Sequence, residues 1–200
     1  MKFAKAVIAS SLVAACSLAA SSVFAASYTV GGSANGTTTL QGPTIAVFAG
    51  MSVPCTSKFK VQVTGGVGTV IDAQFVGSPQ CTAIKANGLP TSSPAGTGWP
   101  IAAPTSAGYA GPTGAPTYSG GVIGNVISPT DPNNNVTITG VSVTIPALSN
   151  VTCTGSISKG DANAGKFWFR QDLNPSGLCK VAGNGLTNVS PDPAFGVVYP

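Results

Sequence analysis

Along most of this chain hydrophobic residues alternate with polar ones; they do not recur every three or four positions. Phe59, Val61 and Val63 alternate with Lys58, Lys60 and Gln62, which gives an extended segment one apolar and one wet face. Gly65-Gly66 reads as a turn, and residues 67–76 as the returning strand. Val136 and Ile138 share one parity, and Val141, Val143 and Ile145 share the other. Gly140 stands at the switch, which predicts a β-bulge there. Residues 122–127, 166–170 and 196–199 are further strand candidates. Ser128-Pro129-Thr130-Asp131-Pro132-Asn133 and Asn174-Pro175-Ser176-Gly177 are turn sequences. Gly or Pro interrupts almost every window that could form a helix. Many short strands between such turns predict an all-β fold, an antiparallel β-sandwich or barrel-like domain.

Two segments depart from this pattern. At the N-terminus, Lys2 and Lys5 precede an apolar stretch over residues 6–20, and Val23-Phe24-Ala25 places small residues where a signal peptidase reads them. This predicts a signal peptide over 1–25 and a single secreted β-domain over 26–200, extracellular, periplasmic or on the outer cell surface. The stretch is too short to span a membrane, and no other apolar run approaches ~18 residues. Val13-Ala14-Ala15-Cys16 also fits a lipoprotein signal that would place a lipid on Cys16. The small apolar residues that follow argue against it, because a lipidated tail is usually a polar tether. In the middle of the chain, residues 86–130 carry no charge. Residues 90–121 hold Pro90, Pro94, Pro100, Pro104, Pro112 and Pro116 among Gly, Ser and Thr. That is too long for an ordinary connection between strands. It predicts a Pro/Gly-rich excursion, mostly extended and outside the sheet ladders. Trp99, Tyr109 and Tyr118 are spaced along it. Their rings either pin the excursion to the sheet or form an exposed apolar contact surface.

Excluding Cys16 leaves Cys55, Cys81, Cys153 and Cys179. An even number in an exported chain reads as two disulfides. The first two and the last two are separated by the same interval. Val53-Pro54-Cys55-Thr56 resembles Val151-Thr152-Cys153-Thr154, and Asn87-Gly88-Leu89 with Pro94 resembles Asn184-Gly185-Leu186 with Pro191. The matching flanks suggest a degenerate internal duplication, with repeat-like halves near 53–94 and 151–191. Each half would be stapled by its own bridge, Cys55–Cys81 and Cys153–Cys179. A symmetric exchange, 55 with 153 and 81 with 179, is the alternative. In a chain-entropy model, each short loop closed this way stabilises the fold by ~3.5 kcal/mol.

Composition narrows the chemistry. The chain has no His and no Glu, and only 7% of it is charged. Ser-His-Asp and Cys-His mechanisms are therefore excluded. Ser57-Lys58-Phe59-Lys60 and Ser156-Ile157-Ser158-Lys159 both match S-x-x-K, but the companion motifs are absent and neither opens a helix. The five acids, Asp72, Asp131, Asp161, Asp172 and Asp192, lie mostly in turn-like sequence. Asp131-Pro132-Asn133-Asn134-Asn135 and Asp161-Ala162-Asn163-Ala164-Gly165 resemble incomplete calcium loops that lack the required Gly and closing acid. We therefore expect no catalytic residues, no cofactor and no metal. Without Lys2 and Lys5 the chain has seven basic residues against five acidic ones, too weak a bias for a nucleic-acid surface.

A leader ending in Val-Phe-Ala, a start at Ser27-Tyr28-Thr29-Val30 and two spaced cysteine pairs come together in one family. So do Gly88-Leu89-Pro90, Gly185-Leu186 and Ser190-Pro191. In these features the chain resembles the alkane-oxidation activator proteins, a PraB-like family. The resemblance implies a small secreted non-enzymatic protein that promotes growth on long-chain hydrocarbons, and it offers no catalytic residues to carry over. The partner expected from a nearly uncharged β-protein with aromatic loops is an apolar interface or hydrocarbon, with self-association as a further option. The alternative is a structural or adhesive subunit of the cell surface or biofilm matrix. Phe195, Val197 and Tyr199 alternate as in the last strand of strand-exchanging pilins. Against it, residues 28–40 lack the alternating large side chains a donor strand needs.

Overall fold

The computed structural model describes residues 25–128 and 135–200. The leader, Cys16 and most of the Asp131 loop lie outside these residues. The first half contains β1 (Ser27–Val30), β2 (Gly36–Phe48), β3 (Met51–Thr64), β4 (Val67–Val76), a single-turn helix α1 (Pro79–Thr82), β5 (Lys85–Ala86) and β6 (Trp99–Ile101). The second contains β7 (Thr117–Ser119), β8 (Val122–Gly124), β9 (Val136–Ile145), β10 (Val151–Asn163), β11 (Lys166–Leu173), β12 (Cys179–Asn188) and β13 (Phe195–Val198). A 3-10 turn, Pro146–Leu148, joins β9 to β10.

Of the two all-β architectures expected, the structure is the barrel. Antiparallel neighbours run β9-β10-β11-β12-β2-β3-β4-β6, and β6 pairs back onto β9 through Ile101 and Ile138. The ring divides into two meanders, β2-β3-β4-β6 and β9-β10-β11-β12, each in chain order. The long hairpins β3–β4 and β10–β11 turn at Gly65-Gly66 and Ala164-Gly165, all four with positive φ. This left-handed pair matches the right-handed twist of the flanking strands. In both halves the leucine after the shared Asn-Gly, Leu89 or Leu186, is buried in the core. The halves differ in their fourth strand. β12 is continuous, whereas its counterpart is broken into β5 and β6 by the segment carrying Pro90 and Pro94, which cannot donate to a ladder.

Parity sorts the side chains as the alternation predicted. Phe59, Val61 and Val63 join the core, while Lys60 and Gln62 are exposed. The bulge at Gly140 is present. Gly155 pairs with Val141 and Ile157 with Ile138, so β9 carries one extra residue. That residue is taken up where Gly140 adopts φ 70°. Val136, Ile138, Val141, Val143 and Ile145 consequently all belong to the core. One end of the barrel is closed by the β1–β13 ribbon, where Tyr28 stacks on Phe195 with ring centroids 5.3 Å apart. The other end holds both bridges, α1 and the buried Leu148. Strand candidate 122–127 shortens to β8, and 196–199 shifts one residue to β13. Closing the ring gives each of the eight strands a neighbour on both sides, though β4 meets β6 at only three positions and β6 meets β9 at one.

Candidate functional site

Cys55 is bonded to Cys81 and Cys153 to Cys179, the pairing favoured by the equal spacing. Each bridge ties the start of one strand to the segment following the next strand, at the same end of the barrel.

The excursion is not the mostly extended, ladder-free segment its composition suggested. It contributes β6 to the ring, then leaves the wall and returns along the outside as an ordered belt over residues 102–128 that includes the β7–β8 hairpin. The barrel wall supplies most of the anchors. The Asp161 carboxylate, 1% exposed, accepts from the backbone N–H of Tyr109 at 2.8 and 2.9 Å. Asn135 donates to the carbonyls of Ser106 and Ala162, and Asn163 donates to that of Gly108. The indole of Trp168 donates to the Pro112 carbonyl at 2.9 Å, and Asn184 donates to the carbonyls of Gly114 and Asn125. At Gly111 the belt lies against Trp168 and Ile127 so closely that a Cβ would stand 2.6–2.9 Å from their side-chain atoms. Further along, Ile123 and Tyr118 cover Ile45, Val47 and Ala182, which face outward from β2 and β12.

The three aromatic rings singled out in the sequence do not meet. Trp99 is 3% exposed, lines the barrel interior and donates to the Asn87 carbonyl at 2.9 Å, so it is not an outward contact residue. It belongs to β6, whose register on β4 turns the indole inward. Tyr118 packs as a half-buried ring on the β2–β12 wall. Tyr109 is half exposed beside the Asp161 anchor, and Val122, at the tip of β7–β8, is 59% exposed. The residues that hold the belt, Asp161, Asn135, Trp168 and Asn184, escape sequence reasoning. Asp161 and Asn135 sit in turn-like sequence, and nothing in the pattern marks Trp168 or Asn184 as anchors.

Inside the barrel lie two apolar cavities. The larger, of about 50 Å³, sits in the half nearer the bridges, between Thr44, Ala46, Ser57, Phe75, Val143 and Val181. The smaller, of about 20 Å³, sits towards the Tyr28 end, between Leu40, Val61, Val70, Val136 and Phe167. Phe59, Trp99, Ile157 and Phe169 border both and form a waist between them. The hydroxyls of Thr44 and Ser57, 2.5 Å apart, satisfy each other, and Thr44 also reaches the Cys55 carbonyl.

Several of the other polar residues singled out in the sequence have structural roles. In Ser57-Lys58-Phe59-Lys60 the strand puts the Ser hydroxyl inside and Lys60 outside, so the dyad cannot form. Asp72 accepts from Gln74 and Thr91, and Asp192 accepts from the Thr39 backbone N–H. Among the described residues no helix is long and apolar enough to cross a membrane, a statement that does not bear on crossing by strands.

No curated protein and no solved structure matches the chain. A family model does, over residues 1–199, which is nearly the whole length and includes both bridged hairpins and the belt. The chain belongs to the alkane oxidation protein activator PraA/PraB-like family.

Proposed function

We propose that the protein is secreted and acts without catalysis, promoting hydrocarbon use by adsorbing to apolar interfaces through its outer belt. The observation that carries this reading is the belt itself. Residues 102–128 form an uncharged layer hydrogen-bonded over the β11–β12–β2 side of the barrel, with Tyr109 and Val122 projecting from it. Bringing charge to a hydrocarbon boundary costs desolvation energy, and the belt itself has no charge to desolvate. Charged side chains belong to the barrel strands and not to the belt: Lys58, Lys60 and Asp72 on β3 and β4, and Lys166, Arg170, Asp172 and Lys180 on β11 and β12. Family membership supplies the link to alkane oxidation. Two disulfides suit an oxidising location outside the cytoplasm. Against the strand-exchange form of the adhesive reading, β13 already pairs with β1 of its own chain.

The test is hexadecane–water interfacial tension with purified protein. We expect a lowering that is weakened when Tyr109→Lys and Val122→Lys are combined, with the thermal midpoint unchanged because both side chains are exposed. Tension equal to that of an inert protein of similar size would remove the proposal.

A further inference from the structure

We infer that the outer edge of β13 is a self-recognition site, at which a second copy of this chain pairs antiparallel through the backbone of Val197. The inference depends neither on the belt nor on the hydrocarbon reading. It starts from where the backbone groups of the β1–β13 ribbon point. In an antiparallel pair the N–H and C=O of one residue lie on the same side of its strand, and the side alternates from residue to residue. Tyr28 donates its N–H to the Gly66 carbonyl at 2.9 Å, and Val30 exchanges hydrogen bonds with Ser33. Both residues therefore turn their polar groups away from β13. Their register partners, Val197 and Phe195, turn theirs away from β1. Gly31 donates to the Ala194 carbonyl at 2.8 Å, which fixes the same phase from the other strand. β13 has β1 as its one neighbour in the sheet, and among the described residues the backbone groups of Val197 have no hydrogen-bond partner.

The start of β13 is covered. A Cβ on Gly165, in the β10–β11 turn, would stand 3.7 Å from the Ala194 Cβ and 3.8 Å from the Phe195 carbonyl oxygen. The edge opens at Val197, and the two residues after it, Val198 and Tyr199, are 41% and 47% exposed. Proteins blunt such an edge with lysine, an inward charge, a bulge or proline. Residues 193–200 carry no charge, and neither do residues 27–36 beside them. The β1–β13 register runs without a bulge. Pro193 and Pro200 flank the edge but leave the Val197 N–H in place. The occupant that fits is a second copy. A two-fold axis beside this edge sets two copies antiparallel, each Val197 offering its N–H and C=O to the other strand. Both edges are uncharged, so no repulsion opposes the pairing, and valine and tyrosine side chains favour cross-strand contact. Each β1 stays with its own β13, so no strand is exchanged. One pair of short strands buries less than the ~1,600 Å² of a standard interface, so the association is weak and follows concentration.

The test is sedimentation of the purified protein from micromolar to near-millimolar concentration. The weight-average mass is expected to rise from that of one chain toward twice that value and to stop there. Val197→Pro removes the outward N–H and takes nothing from the β1 ladder, because that N–H faces away from β1. Val198→Lys puts a charge on the open edge at an exposed position and serves if the proline variant does not fold. Either variant, once shown to unfold as cooperatively as the parent, should remain a single chain at every concentration. Tyr109→Lys combined with Val122→Lys should leave the association unchanged, which separates this site from the belt. A parent protein that stays a single chain throughout would overturn the inference. So would a folded edge variant that associates as the parent does, growth past two chains, or loss of association in the belt variant.

Discussion

The phenol of Tyr28 is buried at the ribbon-closed end of the barrel and donates to the Ala102 carbonyl at 2.6 Å. Burial pushes its proton affinity well above the ordinary value of 10.0. The unfolded chain loses this proton near pH 10, while the folded protein holds it to higher pH. Above about pH 10 the folded state therefore binds more protons, and stability falls as pH rises; below it the contribution is complete. Tyr28→Phe removes the titration. Its denaturation midpoint should be lower near neutrality, by about 1 kcal/mol for the lost hydrogen bond. Between about pH 9 and 11 it should fall less steeply than that of the parent protein. Parallel alkaline limbs in the two proteins would show that Tyr28 does not govern this region.

At the scale of elements, the two meanders share a plan but are not equally secure. β12 pairs along its length with β11 and β2. Its counterpart is two short strands: β5, joined to β9 at two positions, and β6, joined to β4 at three and to β9 at one. The Cys55–Cys81 bridge is the covalent tie nearest this seam. Replacing either cystine by two serines should cost on the order of 3 kcal/mol in chemical denaturation. Only Cys55→Ser with Cys81→Ser should also speed amide exchange in residues 85–101; equal exchange in both double variants would refute the seam. Sequence alternation reveals this plan well for β3, β4 and β9, because each has one face in the core and one largely in water. It fails for β6 and β7, where Pro, Gly and Thr dominate and the strand exists only because β4, β8 and β9 supply partners. The cysteine pairing is legible from the repeated interval. The belt's anchors are not, because a buried Asp161 or Asn135 looks like any turn residue until the segment it holds is in place. The interior cavities are invisible too, since an alternating pattern says which residues point inward but not whether they fill the space.

For the molecule as a whole, the ring and the belt divide the work. The barrel hides most large apolar side chains, and the belt covers a further group, Ile45, Val47 and Trp168, on the outside of the wall. The belt itself is uncharged, small-residued and hydroxyl-rich, with isolated Tyr109 and Val122. Such a layer is wettable yet carries no charge to strip at an oil boundary, while the cations belong to the barrel strands. The pairing of Ser27 with Val198 has one more consequence. The first and last strands of the described fold lie side by side, so a chain begun at Ser27 could be joined to Val198 by a short splice while the exposed Gly120-Gly121 bend becomes the new pair of termini. Such a circularly permuted chain keeps every rung of the ring and moves the attachment point of a tag or tether from the Tyr28 end to the belt, offering a direct way to choose which side of the barrel meets an immobilising surface.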